Sequence, residues 1–225
     1  ALVGTTLPLW LHPPGYAFRW TGAVEFLLGT LLVHAGFSLL EARFERGTAE
    51  GRTTSRRLLV AAGCFVLACV LGLHLLRFVP TLIFTAYGLS VLIAGALYVV
   101  PPISFGQRPG GEIVVSMSLG ILPVLGAYLV QTGDLTRTVY LAALPIYAAT
   151  LLWVWTQQML FEQAAAGRQR HTLVEAFGPR FSGRVIVPGL SALFLATLLV
   201  AVLSSSVAPL TLAAFVLVLP LWRAV

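Results

Sequence analysis

The sequence predicts an all-α fold, a polytopic membrane helix bundle of about seven transmembrane helices. Three observations predict it. Hydrophobic residues make up 58% of the 225 residues and charged residues 10%, with a mean hydropathy of +0.93; a soluble domain carries charge on roughly a quarter of its residues. The apolar residues fall in runs of the ~20 residues that a helix needs to cross a bilayer. The basic residues, fourteen arginines and no lysine, collect in the connections between those runs.

In chain order, residues 1–19 contain Pro8, Pro13 and Pro14, which oppose helix formation. They read as a surface strap or the remnant of a shortened first span, with no basic stretch before an apolar core of the kind a cleavable signal peptide needs. Spans are expected near 20–41, 58–76, 79–100, 113–131, 137–160, 184–203 and 206–222. The last two are divided only by Ser204–Ser206 and Pro209. The whole chain, 1–225, forms a single integral-membrane domain. Cys64 and Cys69 lie five apart inside an apolar run, off the i,i+4 spacing of facing helical neighbours, and read as small reduced core residues.

The net charge of +6 could suggest nucleic acid, but the arginines occupy alternate loops, so topology explains them better and no nucleic-acid partner is expected. Arg43, Arg46, Arg52, Arg56 and Arg57 share one loop, Arg168, Arg170, Arg180 and Arg184 another, and Arg108 lies in a third. With seven spans these loops and Arg223 fall on one side, which the positive-inside rule makes cytoplasmic. The expected placement is an integral protein of a cytoplasmic or inner membrane, N-terminus outside, C-terminus and arginine-rich loops inside, in contact with anionic lipid.

Polar residues inside spans are costly and usually face the bundle. Glu25 stands near the outer end of the first span and reads as reaching the interface. His34 lies deeper, as a helix–helix hydrogen bond or a contact to a bound polar head, pigment or metal. His74 ends the second span; at ~1.5 Å rise per residue it differs from His34 in depth by more than ~10 Å, so the two cannot grip one haem iron or metal.

Two polar headpieces stand out, in loops 41–57 and 157–183. Each follows an apolar helix with Phe-Glu (Phe44-Glu45, Phe161-Glu162) and reaches Gly-Arg soon after (Gly51-Arg52, Gly167-Arg168). This pseudo-repeat points to a common chamber. Glu41 and Glu45 are an i,i+4 pair, and Gln158 and Glu162 repeat that spacing; their ordinary role is to pair with Arg43, Arg46, Arg52 and Arg168 at a wet surface. Between the two lies Tyr98–Glu112, where Pro101-Pro102 ends a helix and Gly110-Gly111 precede Glu112 in the first turn of the next.

Taken in order, these stretches resemble the UbiA superfamily of intramembrane aromatic prenyltransferases, closest to the naphthoate-prenylating branch of menaquinone synthesis. The resemblance rests on His34…Ser38…Glu41-Ala42…Glu45, on Tyr98, Pro101, Pro102, Gly111 and Glu112, on Gly120, Pro123, Gly126, Tyr128 and Val130–Gly133, and on Gly167, Arg168 and Thr172-Leu173. It covers about three quarters of the chain and implies a prenyltransferase-like bundle, with seven spans instead of the usual nine, around a lipid-open chamber between two halves.

The family's aspartates, which hold Mg²⁺ and the substrate diphosphate, are missing. The chain has one aspartate, Asp134, on the expected outer side; Ser38, Glu41 and Ala42 stand at positions of the first headpiece, and Met159 and Gln163, or Phe161 and Ala165, at those of the second. The leading expectation is therefore a pseudoenzyme. It would bind an isoprenoid, quinone or pigment tail, or serve as a structural subunit of a membrane complex with lipids and other subunits as partners, and with His34, Ser38, Tyr98 and Gln158 contacting the chamber. The alternative is an active enzyme moving a polyprenyl group from its diphosphate to an aromatic or quinone-precursor acceptor. Glu41, Glu45 and Glu162 would then hold Mg²⁺, a hard cation that takes oxygen ligands, and Arg52, Arg168 and Arg170 would hold the diphosphate. A transporter is disfavoured because no ionisable series lines a path, and zinc or nucleophile chemistry lacks its residues.

Overall fold

The computed structural model describes residues 17–45, 51–164 and 172–203, with side chains for 17–42, 55–160 and 172–199. Among them every regular element is helical: α1 (Trp20–Glu45), α2 (Gly51–Leu75), α3 (Thr81–Val99), a 3₁₀ turn (Phe105–Gln107), α4 (Gly111–Ser116), a π turn (Met117–Ile121), α5 (Leu122–Thr132), α6 (Arg137–Ala164), α7 (Leu173–Phe177), α8 (Pro179–Phe181), a second π turn (Ser182–Ile186) and α9 (Val187–Leu203). Six stretches are long and apolar enough to cross a membrane: Trp20–Ala42, Ser55–Leu75, Thr81–Val99, Gly111–Thr132, Arg137–Leu160 and Pro179–Leu199. They match the first six expected spans; the seventh, 206–222, and the strap before residue 17 lie outside the described residues. The protein is an integral membrane helix bundle.

Two boundaries differ from the sequence reading. The headpiece expected as a loop over 41–57 is largely helix, because α1 runs to Glu45 and α2 begins at Gly51. Likewise α6 runs to Ala164. Glu, Ala, Arg and Gln are good helix formers, so both helices continue beyond the apolar run into the headpieces.

The bundle is built around α5. Every residue from Pro123 to Gln131 is buried, the mark of a helix enclosed on all sides. One face carries Val124, Leu125 and Tyr128 against Val139, Ala142 and Ala143 of α6. Another carries Ala127, Leu129 and Val130 against Phe26, Leu75 and Val79. Small residues allow these close approaches, as membrane packing requires: a Cβ at Gly120 would stand 3.0 Å from the Tyr147 Cα. Farther along α6, Ala148 and Leu152 pack on Phe194 and Leu198 of α9. The helix α5 ends at Gly133, whose φ of 80° is the left-handed C-cap glycine adopts without a Cβ penalty.

The end of the bundle opposite the headpieces is pinned by polar contacts. Gln131, fully buried, accepts from Arg19 N (3.0 Å) and donates through Nε2 to Arg19 O (3.1 Å). The Arg19 guanidinium donates to Phe78 O at 3.0 Å and Val130 O at 3.3 Å, and both it and Arg77 lie over the Phe78 ring, 5.5 and 4.4 Å from its centroid. A Gln131→Ala change should leave the Arg19 amide without a partner and its carbonyl with Ala23 N alone, at a cost of about 1–2 kcal/mol. Unfolding in a detergent–denaturant titration would show it.

Candidate ligand chamber

Helix α1 presents His34, Phe37, Ser38 and Glu41 at i, i+3, i+4 and i+7, one continuous face. That face lines two adjoining cavities. The larger, about 250 Å³, lies between α1, α2, α3 and the first π turn, with walls that include Phe26, Phe65, Leu75, Phe84 and Leu122. It opens laterally because α2 and α3 scarcely touch, although α1 packs along α2; His34, Cys69 and Leu92 stand exposed in its lining. The smaller, about 110 Å³, lies toward the headpiece end and is lined by His34, Ser38, Glu41, Tyr98, Val99 and Val115. The two share His34, Phe37, Gly95, Ser118 and Leu119. Together they reach the lower end of the roughly 300–1,000 Å³ found for ligand clefts.

The local causes of this shape are in the sequence. The π turn Met117–Ile121 adds a residue to the helical path, a device frequent at functional sites. Its Gly120 is buried and abuts α6 while Ser118 and Leu119 line the cavities. Phe37 sits over Gly95, where any Cβ would overlap its ring, and meets Phe65 edge-on at 5.0 Å.

The structure therefore brings together four residues singled out from the sequence, His34, Ser38, Glu41 and Tyr98. It does not bring Gln158 to them. That side chain is on α6, where its Oε1 and the Trp155 Nε1 are buried without hydrogen-bond partners, and no residue of α6 to α9 lines either cavity. Among the described residues, the lining of these two cavities runs from α1 to the start of α5, instead of bridging two halves of the bundle as expected. The side chains of Glu45, Glu162, Arg52, Arg168 and Arg170 lie outside the described residues. Among the described residues, no three His, Cys, Asp or Glu side chains converge as a metal site would require. Of the three proposed Mg²⁺ ligands, Glu41 is the one whose side chain is described, and it lines the smaller cavity.

Glu112 has a role the sequence reading missed. Only 1% exposed, its Oε2 accepts from Gly110 N (3.1 Å) and its Oε1 from Leu173 N (2.8 Å). Thr172 caps α7 by accepting from Glu175 N at 3.0 Å. Two side chains from distant parts of the chain thus satisfy orphan amides at one helix start. Glu112 ties the Pro101–Gly111 loop to the Thr172-Leu173 end of the second headpiece, and Arg108 braces that loop by donating to Pro102 O at 2.7 Å. The signal was present: a carboxylate beginning an apolar helix needs a partner.

At the other end Glu25 meets α2. Arg77 Nη2 donates to Glu25 Oε1 at 2.8 Å, while His74 Nδ1 stands 3.1 Å from Oε2, a contact close enough for ion pairing but not aligned as a hydrogen bond. The carboxylate is 16% exposed and its partners about half exposed, so the pair fixes geometry more than it stabilises. His74 is Glu25's partner, at a different level from His34, as the depth argument required.

No family model matches the chain, and a search of curated proteins finds no match.

Proposed function

We propose that this protein binds the apolar chain of an isoprenoid, quinone or pigment in the α1–α3 chamber without catalysing prenyl transfer. It acts as a lipid-holding pseudoenzyme or as such a subunit of a membrane complex. The observation that carries this reading is the shape of the chamber: an open apolar cavity adjoined by a smaller one that adds hydroxyl and carboxylate groups to its lining, the form an amphiphile lying in a bilayer needs. Aromatic and aliphatic side chains line the first, and hydroxyl, imidazole and carboxylate groups line the second. The UbiA resemblance supports an isoprenoid-type chain, and the absence of its aspartates supports the lack of transfer chemistry. The arginines of the 41–57 and 157–183 headpieces support a cytoplasmic side for the smaller compartment.

The competing reading is an active prenyltransferase in which Glu41, Glu45 and Glu162 hold Mg²⁺. The two make opposite predictions for farnesyl diphosphate. The pseudoenzyme is expected to show no Mg²⁺-dependent binding by isothermal titration, and the same result for Glu45→Gln. Micromolar binding that vanishes with EDTA and in Glu45→Gln would establish the enzyme instead.

A further inference from the structure

We propose that His34 and Ser38 are the head-group anchor of the chamber, and that together they donate to an uncharged acceptor oxygen of the bound amphiphile, a ketone- or quinone-type carbonyl. This rests on the amphiphile-binding reading above.

Both residues lie within the membrane-spanning stretch Trp20–Ala42. At ~1.5 Å rise per residue, His34 stands ~12 Å from the Ala42 end of that stretch and Ser38 ~6 Å from it. Both side chains are exposed and both line the smaller cavity, and His34 lines the larger one as well. Among the described residues neither side chain has a hydrogen-bond or ion-pair partner. That sets Ser38 apart from the other hydroxyls of the spans, which bond back to the preceding turn as intrahelical hydroxyls do. On the same helix Thr30 donates to Phe26 O at 2.9 Å, and Ser118, which shares both linings, donates to Val114 O at 3.0 Å. Glu41, in the same lining, already has an interaction partner. An imidazole and a hydroxyl at this depth have no bulk water to turn to, and polar groups within a span are retained where they meet a partner.

The chemistry of that partner follows from the pair. Residues at i and i+4 of a helix stand about 5–6 Å apart at Cβ, so one atom placed between them is within reach of both. A neutral imidazole has one N–H to give and serine one O–H, and a carbonyl oxygen has two lone pairs to receive them. The amphiphile's chain then extends along the aromatic and aliphatic wall of the larger cavity, which begins at His34 itself.

The test uses the full chain in lipid nanodiscs and compares methyl tetradecyl ketone with hexadecane by isothermal titration, with empty nanodiscs as the blank. The wild type should bind the ketone about tenfold more tightly than the hydrocarbon, as buried hydrogen bonds of ordinary strength require. Ser38→Ala and His34→Leu should each reduce that preference about threefold, and the double variant should abolish it. Hexadecane should bind all three variants as it binds the wild type, which a general loss of structure would not allow. Ser38→Ala removes a single oxygen and tests the pair on its own if His34→Leu fails to fold. The infrared band of an isotope-labelled ketone carbonyl should lie lower in the wild type than in empty nanodiscs and return in the double variant. Equal binding of ketone and hydrocarbon by the wild type, or a ketone preference unchanged in Ser38→Ala or the double variant, would overturn the proposal and leave the amphiphile-binding reading standing. If neither ligand binds the wild type, that reading falls as well.

Discussion

Glu112→Ala is expected to be the most destabilising single change at the headpiece end of the bundle. It removes a buried carboxylate that accepts from two backbone amides, Gly110 N and Leu173 N. Bonds to a charged acceptor are worth more than neutral ones, and stranded donors lose their hydration as well, so the loss should be about 3–5 kcal/mol. Glu112→Gln keeps an acceptor oxygen for one amide and should cost about half as much. The effect should also be local. Hydrogen exchange at Leu173 and along α7 should accelerate in Glu112→Ala, while α1 and α2, which the carboxylate does not touch, should exchange at wild-type rates. Equal acceleration throughout would show that Glu112 is only one of many core contacts rather than the tie between the two segments.

Filling the chamber from Gly88 is expected to have the largest effect on ligand occupancy. Gly88 lines the larger cavity, and a Cβ there would meet nothing within 4 Å. Leucine in its place adds a side chain to open space instead of forcing a neighbour aside, and it removes a glycine from a helix interior, which favours the helix. Gly88→Leu should therefore reduce binding of a long-chain amphiphile at least tenfold with no loss of thermal stability. Gly63→Leu is the matched control: it too has open space around its Cβ position, but it faces away from the cavity lining and should bind as the wild type does. Gly95→Leu would be a poor substitute for this test, because its side chain collides with Phe37 and confuses blocking with overpacking.

The bundle was legible because hydropathy is a long-range average. Runs of about 20 apolar residues define spans whatever they pack against, and the first six were placed within a few residues of the helices. The site was legible in part for a similar reason. His34, Ser38 and Glu41 repeat at helical spacing, so one face of α1 announces them, and Tyr98 ends the span that returns to the same level. Phe37 is not legible as a cavity residue, because its place depends on Gly95, almost sixty residues away, on which its ring sits. Glu112 was read as a dipole-favoured helix start, which was true of its own helix but silent about Leu173. Gln158 reads as a chamber residue by the analogy between headpieces, but it lines neither cavity: Gly120 of the π turn abuts Tyr147, and Val124, Leu125 and Tyr128 of α5 pack on Val139, Ala142 and Ala143 of α6. His74 stands beside Glu25 because α1 begins where α2 ends, a relation the span directions already contained.

The most direct measurement of the central claim is mass spectrometry of organic extracts from the wild-type protein and Gly88→Leu, purified in parallel and normalised to protein. The account predicts a defined long-chain amphiphile, near one per chain in the wild type and depleted at least tenfold in the variant. A wild-type extract holding only the bulk lipids of its membrane, in the same proportions as the variant, would contradict it.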